Sequence, residues 1–157
     1  MSAPVVGKKV PDFSAPATGG TSFHLKAALQ AGKAVVLYFY PKDNTSGCTK
    51  ESVAFGELHA RFAAAGAVVL GVSPDNLASH EKFKARYAFP FELLVDEDQA
   101  LCRQFDVWKE KSMYGRKYMG VERSTFLIDA KGILRHEWRK VKVDGHAAEV
   151  LAALQAL

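Results

Sequence analysis

Hydrophobic and polar positions follow two rhythms along this chain. Residues 34–40 (AVVLYFY) are an unbroken apolar and aromatic run, the pattern of a strand covered on both faces. From Thr49 the period changes. Phe55, Leu58 and Phe62 recur at helical spacing, and Gly66 ends the helix. Residues 68–72 (VVLGV) predict a second buried strand. Residues 77–87 are polar, with Phe83 and Tyr87 four apart, and predict a surface helix. A strand at 91–95 and a short helix at 98–105 follow. Strands at 124–129 and 133–138 are joined by the turn Ala130-Lys131-Gly132, and a helix over 147–157 ends the chain. Upstream, residues 12–15 and 22–25 flank Gly19-Gly20 and predict a small hairpin.

This order implies an α/β domain with a mixed central sheet, helices on both faces and an N-terminal β-hairpin. A right-handed crossover places the strand at 68–72 beside the strand at 34–40. At 157 residues the chain has the length of one domain, here 1–157. In such sheets, sites form beyond the carboxyl ends of strands. The segment YPKDNTSGCTKESV, residues 40–53, lies at one of those ends.

Composition narrows the function classes. No apolar run is long enough to cross a membrane as a helix. The first residues lack the basic-then-apolar order of a signal peptide, so a cytoplasmic location is expected. The formal charge of +4 is modest. Its clusters (Lys82, Lys84, Arg86; Lys109, Lys111, Arg116, Lys117; Arg135, Arg139, Lys140, Lys142) read as solvated faces rather than a nucleic-acid surface. Neither cysteine, Cys48 or Cys102, has metal-ligand spacing to another cysteine or to one of the five histidines. No metal and no cofactor is expected. Two cysteines make no disulfide framework, which suits free thiols in a reducing compartment.

Cys48 falls just before or within the first turn of a helix, where amides and the macrodipole favour an anion. A free thiol with a pKa of ~8.5 is mostly protonated near neutrality. Full ionisation asks for about 3 kcal/mol, whereas a helix terminus supplies ~0.3–1 kcal/mol, or up to ~2 when partly buried. A nearby arginine is the usual supplement. Thr45 offers a hydroxyl, Gly47 allows close backbone approach, and Pro41 stiffens the start of the loop. On these residues alone, a reactive thiol and a small buried hydrophobe both remain open.

Pro41, Thr45 and Cys48 spell P-x-x-x-T-x-x-C, which resembles the active-site motif of peroxiredoxins. The wider text resembles their bacterioferritin-comigratory (PrxQ) branch: Phe39 to Thr45, Gly47-Cys48-Thr49 with Glu51, Leu101 to Phe105 with Val107-Trp108, and Arg123 to Asp129. The resemblance runs from about Pro11 to the C-terminal helix. It implies a thioredoxin-like fold and reduction of hydrogen peroxide and organic hydroperoxides through a cysteine sulfenic acid, in antioxidant defence. It implies Cys48 as the peroxidatic nucleophile, Thr45 as a hydrogen-bonding partner of the peroxide, and Arg123 as the guanidinium beside the thiolate. Pro41 would shield the pocket. Glu51 would orient Arg123, or be a solvated first-turn acid.

Two departures from the family pattern stand out. Ser46 occupies a position that commonly holds proline. Many relatives carry a resolving cysteine five residues after the nucleophile, where this chain has Val53; others carry one in the next helix, and residues 77–87 have none. The chain therefore resembles a one-cysteine member, recycled by an external thiol such as thioredoxin, glutaredoxin or glutathione, with Cys102 inert. By analogy with many relatives a monomer is expected, with weak or disulfide-linked dimers as the alternative. Two rival functions stay in view. A disulfide oxidoreductase would need C-x-x-C, which Cys48-Thr49-Lys50-Glu51 lacks. A binding or holdase module would not react with peroxide.

Overall fold

The computed structural model describes residues 3–157. In chain order the elements are β1 (Ser14–Ala17), β2 (Thr21–His24), α1 (Leu25–Gln30), β3 (Ala34–Phe39), α2 (Ser46–Ala64), β4 (Ala67–Ser73), α3 (Leu77–Tyr87), β5 (Glu92–Val95), α4 (Ala100–Gln104), β6 (Trp108–Met113), β7 (Arg116–Val121), β8 (Ser124–Ile128), β9 (Leu134–Trp138) and α5 (His146–Gln155). Seven strands form one mixed sheet in the order β2-β1-β5-β4-β3-β8-β9. β3, β4 and β5 are parallel; β8 and β9 extend the sheet antiparallel on one side, β1 and β2 on the other.

β3 is the centre, with all six residues buried. Its side chains alternate between two cores. Val35, Leu37 and Phe39 pack on one face with Leu25 of α1 and with Leu101 and Cys102 of α4. Val36 and Tyr38, continued by Tyr40, pack on the other with Phe55 and Phe62 of α2, Phe83 of α3 and Val150, Leu151 and Leu154 of α5. The continuous apolar run thus means what the sequence implied, a strand with no solvent face.

Tyr38 sets the helix that carries Cys48. Its ring stacks on Phe55 (centroids 4.7 Å apart, 19° between planes) and its hydroxyl donates to Ser52 Oγ at 2.9 Å. Gly71, opposite it on β4, makes the room: a Cβ there would lie 2.7 Å from the Tyr38 hydroxyl oxygen.

Three differences from the sequence pattern have physical causes. The helix expected from Thr49 begins at Ser46, because Thr45 supplies the extended N-cap residue. The N-terminal hairpin is shifted two residues at its first strand, and Leu25 opens α1, a helix too short to show a period. The two-stranded sheet β6–β7 was not anticipated at all. Its residues are mostly exposed, so no apolar face imposes a period of two. Its turn is Tyr114-Gly115, both at positive φ (51° and 77°), a conformation usually flagged by Asn-Gly or Asp-Gly.

Candidate active site

Register explains how residues 75 apart in sequence meet. β8 runs antiparallel to β3 with Ser124 opposite Phe39. Arg123 therefore emerges beside the carboxyl end of β3, where the chain turns into the 40–45 loop and then α2. Arg123 Nη2 donates to Cys48 Sγ at 3.3 Å, and Nη1 donates to Glu51 Oε1 at 2.7 Å. Gly47 leaves space for this guanidinium, since a Cβ would sit 3.3 Å from Nη2.

Cys48 is the third residue of α2. The first backbone bond of the helix runs from Thr49 N to Thr45 O (2.9 Å), so the amides of Ser46, Gly47 and Cys48 precede the helical ladder and point toward the loop end. The thiol is only 1% exposed. A guanidinium N–H thus meets the sulfur at a helix N-terminus.

Glu51 is one turn farther along and 1% exposed, not a solvated acid. Burial pushes its carboxyl up to about 7, against the pull of Arg123, and Oε2 has no hydrogen-bond partner. Burial acts to lower the Arg123 pKa, but Glu51 and then Cys48 outweigh it and hold the guanidinium above its ordinary value. Arg123 itself is largely buried rather than a free strand-end charge.

Thr45 is exposed, and its hydroxyl donates to Lys42 O at 2.8 Å. Its proton is thereby committed to the loop, and the oxygen offers lone pairs. Pro41 is half-buried at the start of the loop. Val53 lies farther along α2, and α3 contains no cysteine.

Sequence reading missed the groups that hold this loop. Asp43 is buried and accepts from Tyr40 Oη (2.6 Å) and Ser79 Oγ (2.8 Å), with His80 Nδ1 at 2.7 Å. His80 is fully buried on α3, and its Nε2 meets Leu94 O at 2.8 Å. Asp75 Oδ2 accepts from the Asp43 amide at 2.8 Å. The ligand atoms of Asp43, Asp75 and His80 lie within 4.8 Å of one another, close enough to bracket a cation, yet each is already engaged by protein groups. The cluster ties the loop to α3 and β5. What sets Asp43 apart from an ordinary loop acid is its burial, which is not visible in sequence. Asn44, at φ 60°, takes the left-handed conformation that starts the turn into Thr45.

Cys102 lies in the other core. It is fully buried, its amide and that of Leu101 donate to Asp96 (2.9 Å each), and burial together with Asp96 pushes its thiol far above the ordinary range.

The AhpC/TSA family matches this chain over residues 6–137. The chain belongs to the peroxiredoxins of the AhpC/TSA family. It is 50% identical to the peroxiredoxin Bcp of Bacillus subtilis over 150 residues (96% of this chain, 94% of the relative). It is 48% identical to a putative peroxiredoxin bcp of Coxiella burnetii (95% and 97%). Among solved structures, peroxiredoxin Q of Xanthomonas campestris superimposes with a TM-score of 0.86 at 52% identity (92% and 90% covered). PrxQ of Xylella fastidiosa, in a cysteine mutant, gives 0.92 at 42% (99% and 98%). The peroxiredoxin is thus a thiol-dependent peroxidase of the Bcp/PrxQ branch, with a thioredoxin-like fold. Among the described residues, no helix is long and apolar enough to cross a membrane.

Proposed function

We propose that this peroxiredoxin reduces hydrogen peroxide and organic hydroperoxides at Cys48 and is recycled by an external thiol. The observation that carries the assignment is the Arg123 guanidinium 3.3 Å from Cys48 Sγ on the first turn of α2. The Cys48 thiolate attacks one peroxide oxygen and the O–O bond breaks. The electron pair leaves on the second oxygen, which takes a proton to become water or an alcohol. Cys48 becomes a sulfenic acid. Charge moves from sulfur to the leaving oxygen during this step, and fixed donors from Arg123 and the Cys48 amide favour that transition state over the bound peroxide. The Thr45 oxygen accepts a hydrogen bond from the peroxide O–H and orients it. Glu51 holds Arg123, and Pro41 shields the thiol from bulk solvent. A structure of the Xanthomonas campestris bacterioferritin comigratory protein, 51% identical, is described for alkyl peroxide reduction activity, which supports organic hydroperoxides as substrates here.

In recycling, an incoming thiolate attacks the sulfenic sulfur and displaces hydroxide, which is released as water. A second thiol then cleaves the mixed disulfide and frees Cys48. The one-cysteine reading is supported by Val53, by the lack of cysteine in α3, and by the sheet that separates Cys48 from Cys102. Residues 1–157 act as one catalytic domain, cytoplasmic and monomeric. Intact mass after one equivalent of peroxide tests the proposal. Expected is a gain of one oxygen on Cys48, converted to a glutathione adduct when glutathione is present. Unmodified protein would defeat the peroxidase assignment to Cys48. An intramolecular disulfide would defeat the one-cysteine cycle.

A further inference from the structure

The β6–β7 arm contributes little to the core: only Val121 is buried, and Trp108 packs half-buried against it. The arm starts from the active site. Glu122, beside Arg123, donates its amide to Val107 O at 2.8 Å, just ahead of β6. Arg139 braces this base through the carbonyls of Phe105 (2.9 Å) and Asp106 (2.7 Å). From there each strand continues six residues, roughly 20 Å.

Register separates its faces. Trp108–Val121, Glu110–Met119 and Ser112–Lys117 are paired across one face; Lys109–Gly120, Lys111–Tyr118 and Met113–Arg116 across the other. On the first face Lys117 is offset by Glu110 at 3.7 Å. The second face carries no acid. Lys109 is paired with Asp106 at the base (2.9 Å), whereas among the described residues Lys111 and Arg116 form no ion pair, Glu122 acting on Lys111 only through its charge. The same face exposes Met113 (54%) and Tyr118 (43%), and Tyr114 at the tip is 99% exposed. Gly120 accommodates the Lys111 side chain, whose Cδ would be 3.3 Å from a Cβ there. Burial, and then the charge of Arg123, lower the Lys111 pKa, while Cys48 and Glu122 act on it in the opposite sense.

We propose that this basic, Met/Tyr-bearing face of the β6–β7 arm docks an acidic redox protein that delivers its thiol to oxidised Cys48. The inference rests on the reading that Cys48 is recycled by an external thiol. Exposed aromatic and methionine side chains on a surface otherwise charged mark protein contact. The charge selects the partner. A second copy placed face to face would set Lys111 and Arg116 against their own equivalents, whereas an acidic partner complements them and is steered toward the thiol. A small thiol would leave Tyr118 and Met113 unused.

The test uses the full chain with Arg116→Glu, and separately with Met113→Ser/Tyr118→Ser. Single-turnover oxidation by peroxide and turnover with dithiothreitol are expected to stay at wild-type values, because neither variant touches the Cys48 site. Turnover with an acidic thioredoxin, regenerated by its reductase, is expected to show kcat/KM lowered about tenfold or more, mostly in KM. Its dependence on ionic strength should flatten in Arg116→Glu. Thioredoxin-driven kcat/KM within twofold of wild type in both variants overturns the docking face. So does a wild-type protein that turns over with dithiothreitol but not with thioredoxin. Sedimentation showing a dimer that Tyr118→Ser dissociates reassigns the arm to self-association and also overturns it. Absence of oxidation by peroxide in the wild type instead defeats the underlying peroxidase reading.

Discussion

Cys48 and Cys102 lie on opposite faces of the same sheet. Cys48 packs with Val36, Tyr38 and Tyr40, and Cys102 with Val35, Leu37 and Phe39. A disulfide requires Cα atoms within ~7 Å and Cβ vectors that converge. Strand β3, paired on both edges, stands between them. Cys102→Ser should therefore keep near-full turnover with thiol reductants, and Cys48→Ser should abolish it without unfolding the chain. Peptide mapping of oxidised protein checks both. A Cys48–Cys102 bridge together with lost activity in Cys102→Ser would contradict this geometry.

Arg123→Ala removes the guanidinium from both Cys48 and Glu51. The oxidation step is expected to slow by roughly 10²–10³, the usual loss for one preorganised donor. Arg123→Lys should restore little, because one ammonium cannot reproduce the two-pronged contact with sulfur and carboxylate. Stopped-flow oxidation rates near wild type for Arg123→Ala would remove this residue from the site.

Thr45→Val should slow oxidation by roughly 10²–10³ as well, while Thr45→Ser stays near wild type. The valine deletes both the lone pairs offered to the peroxide and the bond to Lys42 O. Equal rates in the serine and valine variants would show that the hydroxyl is idle.

Two buried groups give opposing pH dependences of stability. Glu51 is raised from 4.5 to about 7 by burial. The folded state then binds more protons than the unfolded state, and stability falls as pH rises from about 4.5 to 7, by about 3 kcal/mol in all. His146 is lowered from 6.5 to about 4, by burial and by Arg123, against Glu149. Its ring Nε2 is hydrogen-bonded with Thr125 Oγ1 at 2.8 Å. Here stability is lost as pH falls from about 6.5 to 4. Urea denaturation should show the rising limb weakened in His146→Gln and the falling limb weakened in Glu51→Gln. Identical pH profiles in the two variants would refute the assignment.

The sequence by itself determined the layers and the reactive locus. The continuous run at β3 reads as a strand buried on both faces and the helical spacing after Thr49 as a helix packed on that sheet, and the family resemblance points to Cys48, Thr45 and Arg123 as the residues to follow. Tertiary structure decided what local pattern does not encode. Antiparallel pairing of β8 with β3 brings Arg123 to Cys48. Burial turns Glu51 from a surface acid into the carboxyl that grips Arg123, and Asp43 into a partner of His80. The Thr45 hydroxyl proton is spoken for by a carbonyl three residues back, which no spacing reveals. The β6–β7 arm stayed hidden for the opposite reason. It buries too little to write a hydrophobic period, so only backbone pairing across the Tyr114-Gly115 turn defines it.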